Sequence, residues 1–223
     1  MKKIGIVAAW KPELEYLYKS YPSIKKQVIA SWEFNFHIIQ GIEVVSVVSG
    51  VGKVKVASCT QLLINEFVPN ELYMTGICGS LSDNVNFGDF VIPDITLQYD
   101  VSEAGICNDP FDLYLGRTSL IHTQAKLIES FKNFSTESCF KIHYGTLVTG
   151  DQRIRNSRAS QMLKEKYNAI AVDQEIAAFA HVCFLNSKPF ICIKSVSDRA
   201  NENTVEDQKN FKLLACKNSC KLM

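Results

Sequence analysis

The sequence predicts an α/β protein, and three observations carry that reading. Short apolar runs suited to buried strands alternate along the chain with longer amphipathic or Ala-rich stretches suited to helices. The stretch from Ala169 to Asp198 reads as strand, helix, strand. The 223 residues suffice for a sizeable core, and no repeat, low-complexity tract or linker divides them, so a single domain over residues 1–223 is expected.

Lys3 to Ala9 is the first strand. Its apolar run is cut short by Lys11-Pro12-Glu13, which argues against a signal peptide. Pro12 suits the first turn of a helix. Glu13 then lies at a helix N-terminus just after a strand. It serves there either as a solvated first-turn carboxylate favoured by the helix dipole or as a site group on the sheet rim. Val28 to Trp32, Phe34 to Gln40 and Val44 to Ser49 read as three extended runs, with Gly41 turning the second into the third. Ser49-Gly50-Val51-Gly52-Lys53-Val54 is a glycine turn leading into a helix over 54–67. It lacks the third glycine of a dinucleotide fingerprint and the Lys-Ser/Thr ending of a P-loop. Leu72 to Thr75 is a strand, followed by Gly76 and Gly79, where the backbone is free to approach a ligand or simply to turn. A strand over 90–95, a long acidic loop over 98–119, a helix over 120–133, a strand over 140–149 and a helix over 158–167 follow.

Ala169 to Val172 is then a buried strand, Ile176 to Leu185 a buried helix, Asn186-Ser187-Lys188-Pro189 a turn, and Phe190 to Val196 a second strand. Read as a βαβ unit, the two strands are parallel, and Glu175 and Asp198 emerge on one sheet rim, where open α/β sheets bind ligands. Two acidic groups on one rim are suited to grip or protonate a polar substrate. The same residues also suit a helix N-terminal carboxylate and an N-cap. A helix over 205–222 closes the chain.

Composition narrows the function. Hydrophobic residues make up 47% and charged residues 21%, the net charge is +1 and the pI about 7.5. No basic field is present to drive nucleic-acid binding, and no segment reaches the roughly 18 apolar residues of a membrane span. The eight cysteines contain no C-x-x-C pair and sit in apolar patterns, as free thiols of a cytoplasmic protein do. His37, His122, His143 and His181 form no H-x-x-x-H pair, His181 reads as a core histidine, and no metal or cofactor is expected.

Several of these motifs fall together. Lys3-Ile-Gly-Ile-Val-Ala-Ala9 with Glu13, Ser49-Gly-Val-Gly-Lys-Val54, Thr75-Gly76 with Gly79, Val148-Thr-Gly-Asp151, Ala171-Val172 with Glu175 and Ala180-His-Val-Cys183, and Val196-Ser-Asp198 run in order along nearly the whole chain. The set resembles the 5'-methylthioadenosine/S-adenosylhomocysteine nucleosidases of the nucleoside phosphorylase/uridine phosphorylase superfamily. The resemblance implies a mixed, partly barrel-like central sheet flanked by helices, an adenine nucleoside substrate, and a homodimer whose neighbour helps to close the pocket. It implies that Asp198 is the general acid for purine N7, that Glu13 is the base for water and that Glu175 holds the ribose hydroxyls. It also places Gln174, Ser197, Gly79, Cys78, Arg153 and Ile154 around the substrate. The chemistry asks for such a set, because N-glycosidic cleavage builds positive charge on the ribosyl ring and negative charge on the leaving purine.

The phosphorylases of that superfamily hold phosphate with arginines at the glycine turns. Ala8 to Glu13 and Ser49 to Lys53 carry none, and an acidic residue at 13 repels a phosphate dianion, so hydrolysis is expected. Three departures bear on the substrate. Asp173-Gln174-Glu175 replaces Glu-Met-Glu, which makes the ribose wall polar. Gly76-Ile-Cys-Gly-Ser80 replaces Gly-Ser-Ala-Gly-Gly. Arg153, beside Ile154, occupies the position of the aromatic residue that stacks on the base, where a guanidinium also stacks but adds charge. A nucleosidase or phosphorylase for another purine nucleoside, such as a futalosine-type compound, and a catalytically weak nucleoside binder are the alternatives.

Overall fold

The chain begins with β1 (Lys3–Ala8), a 3-10 turn (Lys11–Leu14) and α1 (Glu15–Ser20), followed by β2 (Lys25–Ile29), β3 (Trp32–Ile39), β4 (Ile42–Val48) and α2 (Lys53–Phe67). Next come β5 (Glu71–Ser80), β6 (Phe90–Gln98), β7 (Phe111–Asp112), β8 (Arg117–Thr118), β9 (Ile121–His122) and α3 (Ala125–Lys132). The remainder is β10 (Ile142–Thr149), α4 (Ser157–Tyr167), β11 (Ala169–Asp173), α5 (Ile176–Leu185), β12 (Phe190–Asp198) and α6 (Thr204–Lys221). The structure, a computed structural model, describes residues 2–101, 111–112, 117–118, 120–132 and 140–221.

The sheet closes on itself. Its order β11-β10-β6-β12-β5 is completed by a β11–β5 pairing, which makes a five-strand barrel, and β5 continues outward through β1 and β4 to the β3–β2 hairpin. The mixed, barrel-like sheet flanked by helices is therefore observed. Two irregularities help it to bend. Opposite Gly145, β6 carries Pro93, which has no N–H to donate, and the β6–β10 register shifts there. In β12 the register against β5 shifts between Val196 and Asp198, so Ser197 is an extra residue.

α5 is apolar almost all round. Ile176, Ala177, Ala178, Phe179, Ala180 and Cys183 are buried, as expected of a helix with core on every side, and it packs against α2 and strands of the barrel. Cys59, Cys78, Cys183, Cys192, Cys216 and Cys220 are free and buried, as their apolar settings predict. The most deeply buried histidine is His37, held between Tyr21 O (2.7 Å) and Ser46 Oγ (2.9 Å). His181, expected in the core, is only half-buried on α5.

The structure corrects several expectations. β11 and β12 are not a parallel pair. β12 runs parallel to β5, whereas Ala171 and Val172 of β11 pair antiparallel with Ser80 and Gly79 of the same strand. Barrel closure overrides the simple βαβ geometry, because β11 also needs a partner on the side away from β10. Gly76 and Gly79 lie inside β5, not beyond its end. The first hairpin turns at Ala30-Ser31, with Ile29 opposite Trp32 and Ala30 in the left-handed region, which splits the expected run 28–32. β6 extends to Gln98. The helix expected over 120–133 starts at Ala125, because residues 121–122 pair with β6 and Thr123 bonds to Pro93 O (2.7 Å) and Asp94 O (3.0 Å). Most of the acidic loop expected over 98–119 lies outside the described residues, as do Cys107 and Cys139.

Candidate active site

The carboxyl ends of β1, β5 and β12 lie along one rim, since both β1 and β12 run parallel to β5. β1 ends at Ala8, Trp10 is extended, and the Pro12 turn swings Glu13 inward. Glu13 is 2% exposed, so it is not a solvated first-turn residue. Its Oε2 accepts from the Ala9 N–H (2.9 Å) and the Trp10 N–H (2.8 Å), and its Oε1 accepts from the Ile77 N–H (3.1 Å). Burial, the largest influence, raises its pKa to about 7. Lys194 opposes that shift, Glu175 adds to it, and the backbone donors of Trp10 and Ile77 oppose it.

The turn from β11 into α5 carries two carboxylates with different tasks. Asp173 takes the capping role. It accepts from the Glu175 N–H (3.2 Å), the Ile176 N–H (3.0 Å to Oδ2) and the Thr149 hydroxyl (2.6 Å). Glu175 is thereby freed from its own helix. Its Oε1 accepts from the Gly52 N–H (3.1 Å), so the glycine turn before α2 spends a donor on an internal carboxylate. Burial raises the Glu175 pKa, Lys194 opposes this, and Asp173 adds to it.

Lys194 of β12 joins these groups, and sequence reasoning missed it. Its side chain is fully buried, with Nζ 3.0 Å from Asp173 Oδ2 and 3.6 Å from Glu175 Oε2. The Asp173 contact is an ion pair by distance rather than a well-aligned hydrogen bond. Burial opposes the ammonium charge, but Asp173, Glu175 and Glu13 more than offset it and hold the pKa well above the usual lysine value. A signal was available. A single Lys interrupts the otherwise apolar run Phe190-Ile-Cys-Ile-Lys194-Ser-Val196, and lysine is almost never fully buried without partners. Gly76 permits the meeting. A Cβ there would lie 2.7 Å from Glu13 Oε1 and 3.0 Å from Lys194 Nζ.

Asp198 is aimed by the bulge at Ser197. Its Oδ2 lies 2.8 Å from both Ser197 Oγ and Gln208 Nε2, and its Oδ1 accepts from the Ala200 N–H (3.0 Å) and the Thr204 hydroxyl (3.4 Å). Ser197 Oγ is also 3.3 Å from Cys78 O. Gly79 makes room, since a Cβ there would approach Asp198 Oδ1 to 2.9 Å. Both glycines of β5 thus admit the protein's own carboxylates.

These groups border one cavity of about 250 Å3. Glu13, Glu175, Asp198, Gln174, Ser197, Gly79, Cys78, Arg153 and Ile154 all line it, so the structure brings together every residue singled out from the sequence. Gln174 is half-buried and donates its amide to Asp151 O (2.9 Å), which ties this wall to the turn after β10. Arg153 both lines the cavity and is exposed to solvent. Trp10, Gln208 and Lys212 also line it and were not anticipated; they stand on a turn and on a helix face whose sequences carry no site pattern. Within one pocket, then, a buried carboxylate near neutrality faces a second one paired to a lysine and a third on a hydroxyl and an amide. Such a set suits acid–base work on a polar, cation-forming substrate.

Comparison with known proteins places this geometry. A family model described as the phosphorylase superfamily matches residues 3–223. A 5'-methylthioadenosine/S-adenosylhomocysteine nucleosidase of Buchnera aphidicola subsp. Schizaphis graminum is 33% identical over 221 residues, 97% of this chain and 93% of that protein. Among solved structures, the nucleosidase of that name from Neisseria meningitidis, in complex with methylthio-immucillin-A, is similar with a TM-score of 0.91 and 26% identity, covering 100% of this chain and 96% of the other. A futalosine hydrolase of Helicobacter pylori shares the fold with a TM-score of 0.92 at 23% identity, covering 99% and 95%.

Proposed function

The chain belongs to the phosphorylase superfamily and, within it, to the 5'-methylthioadenosine/S-adenosylhomocysteine nucleosidases, and from that premise we propose that it hydrolyses the N-glycosidic bond of these nucleosides to adenine and the 5-thioribose product. The observation that carries the proposal is the arrangement around Glu13. Its carboxylate occupies the backbone N–H groups of Ala9, Trp10 and Ile77, and Glu175 occupies that of Gly52. Donors that would hold a phosphate are thus committed to internal carboxylates, and a site of this kind suits a water nucleophile.

In this reading Glu13 takes a proton from water as its oxygen attacks C1'. The C1'–N9 bond breaks, its electron pair passes to the purine, and Asp198 protonates N7. Glu175 accepts from the ribose hydroxyls, and Lys194 holds Glu175 and Asp173 in place. Gln174, Ser197, Gly79, Cys78, Arg153 and Ile154 border the substrate. The family reading further carries a homodimer whose neighbour helps to close the pocket and a place in nucleoside catabolism and methionine salvage. The buried free thiols suit a cytoplasmic setting. Residues 1–223 act as one domain.

The test is release of adenine from 5'-methylthioadenosine in phosphate-free buffer. Release that added phosphate does not accelerate is expected; strict dependence on phosphate would make the protein a phosphorylase. The acid limb of the pH profile is a second test. Glu13 must be ionised to accept a proton and its pKa lies at about 7. Log kcat/KM is therefore expected to fall with unit slope as pH drops below about 7. A limb near the ordinary carboxylate value of 4.5 would mean that burial does not raise Glu13, and a limb that persists in Glu13→Gln would remove Glu13 from the base role.

A further inference from the structure

The end of the pocket beyond the three carboxylates carries an ammonium that the cleavage reaction does not need. Lys212 lines the cavity from α6 and is half-buried. Its Nζ lies 4.9 Å from the ring centroid of Trp10, and among the described residues it forms no ion pair with an acidic side chain. A lysine ammonium in such a place gives up part of its hydration for a single aromatic face, which compensates it only in part. Glu13, Asp173, Glu175 and Asp198 supply the acidic lining, so an anion beside them meets like charge; the other lining cation, Arg153, stands exposed on the turn after β10.

The position of Lys212 relative to a bound nucleoside follows from α6. Gln208, one turn earlier on the same face, bonds Asp198 Oδ2 at 2.8 Å. Where Asp198 meets purine N7, α6 borders the C8–N7 edge of the base. In the anti conformation of a purine nucleoside that edge lies on the same side as C5'. Continuing along α6 from Gln208 to Lys212 therefore follows the substituent at C5' outward. The indole of Trp10 offers an apolar wall beside that path, and the ammonium stands next to it.

We propose that the pocket prefers nucleosides whose 5' substituent ends in a carboxylate, with Lys212 as the specificity-determining cation and Trp10 as the wall along which the connecting chain lies. The inference rests on the nucleosidase reading and adds to it the charge of the preferred substrate. A monoanion matches the single charge that Lys212 supplies. A neutral 5'-methylthio group leaves the ammonium on Trp10 alone.

The experiment compares 5'-deoxy-5'-(2-carboxyethylthio)adenosine with its carboxamide, which has nearly the same shape and no charge. Both kcat/KM and calorimetric Kd are measured for the wild type, Lys212→Met and Lys212→Arg. The wild type is expected to favour the carboxylate about tenfold at low salt, the fold-change typical of one charge-assisted contact. The preference should shrink as ionic strength rises. Lys212→Met should bring the ratio to about one, and Lys212→Arg should keep it. A ratio unchanged in Lys212→Met, with both ligands weakened together, would make Lys212 a prop for Trp10 and overturn the inference. The Kd ratio separates the two ideas. A carboxylate preference in binding that depends on Lys212, without turnover of either compound, supports the inference and sinks the hydrolase reading; turnover of both without that preference does the reverse.

Discussion

Replacing Lys194 with methionine is expected to lower folding stability by about 3–5 kcal/mol, the usual consequence of removing one partner from a buried ionic cluster. The side chain is fully buried and its ammonium stands 3.0 Å from Asp173 and 3.6 Å from Glu175, with Glu13 facing it across Gly76. Methionine fills much of the volume but leaves Glu13, Asp173 and Glu175 buried without their cation. The pH dependence distinguishes this electrostatic loss from a packing defect. Burial already raises the pKa of Glu13 and Glu175, and Lys194 is the largest influence opposing it. Without Lys194 both groups rise further above their unfolded values. The folded variant then binds more protons than the unfolded chain in the range between the unfolded and the folded pKa. Stability in that range falls as pH rises. The deficit should accordingly be largest at pH 8 and shrink toward pH 5.5, read by urea denaturation at both. A deficit equal at the two pH values would mean that the lysine stem, not its charge, holds the site together.

This cluster also shows what the sequence displays and what it hides. The carboxylates were legible because each follows an apolar run at a turn: Glu13 after Ile4-Gly-Ile-Val-Ala-Ala9, Glu175 after Ala169-Ile-Ala-Val172, and Asp198 after Ile191-Cys-Ile-Lys-Ser-Val196. Alternation of such runs with helices also gave the fold class. Their meeting depended on features that spacing does not encode. β11 reaches the rim antiparallel to β5, an arrangement set by closure of the barrel and not by the local strand–helix–strand pattern. The bulge that turns Asp198 inward is one residue of register between strands more than 100 residues apart. Gly76 and Gly79 read as places for a ligand or for a turn, yet their missing side chains admit Glu13, Lys194 and Asp198, which only the packed structure reveals. Asp173 read as a substituted site residue, yet its carboxylate caps α5 and so leaves Glu175 free to face the cavity.

The second large effect is at Asp198. Asp198→Asn is expected to fold and to bind nucleoside, yet to lower kcat by about 10²- to 10⁴-fold, the range for loss of a positioned general acid. Folding should survive because the surroundings can satisfy an amide. An Asn oxygen in place of Oδ1 still accepts from the Ala200 N–H and the Thr204 hydroxyl. The amide nitrogen then falls at Oδ2, where Gln208 can rotate to offer its oxygen and Ser197 can accept while its own proton goes to Cys78 O. Proton supply to N7 does not survive, because an amide cannot donate a proton and regain it from solvent on the time scale of turnover. The loss should therefore depend on the leaving group. Adenine departs poorly as an anion, so its release should show the whole effect in single-turnover measurements. p-Nitrophenyl 5-methylthioriboside, whose leaving group p-nitrophenolate is stable without protonation, should lose far less. Glu13→Gln gives the contrast, since water must be activated whichever group departs, and it should slow both substrates alike. Equal losses for both leaving groups in Asp198→Asn would take Asp198 out of the acid role and leave it a residue that positions Ser197 and Gln208 at the pocket wall.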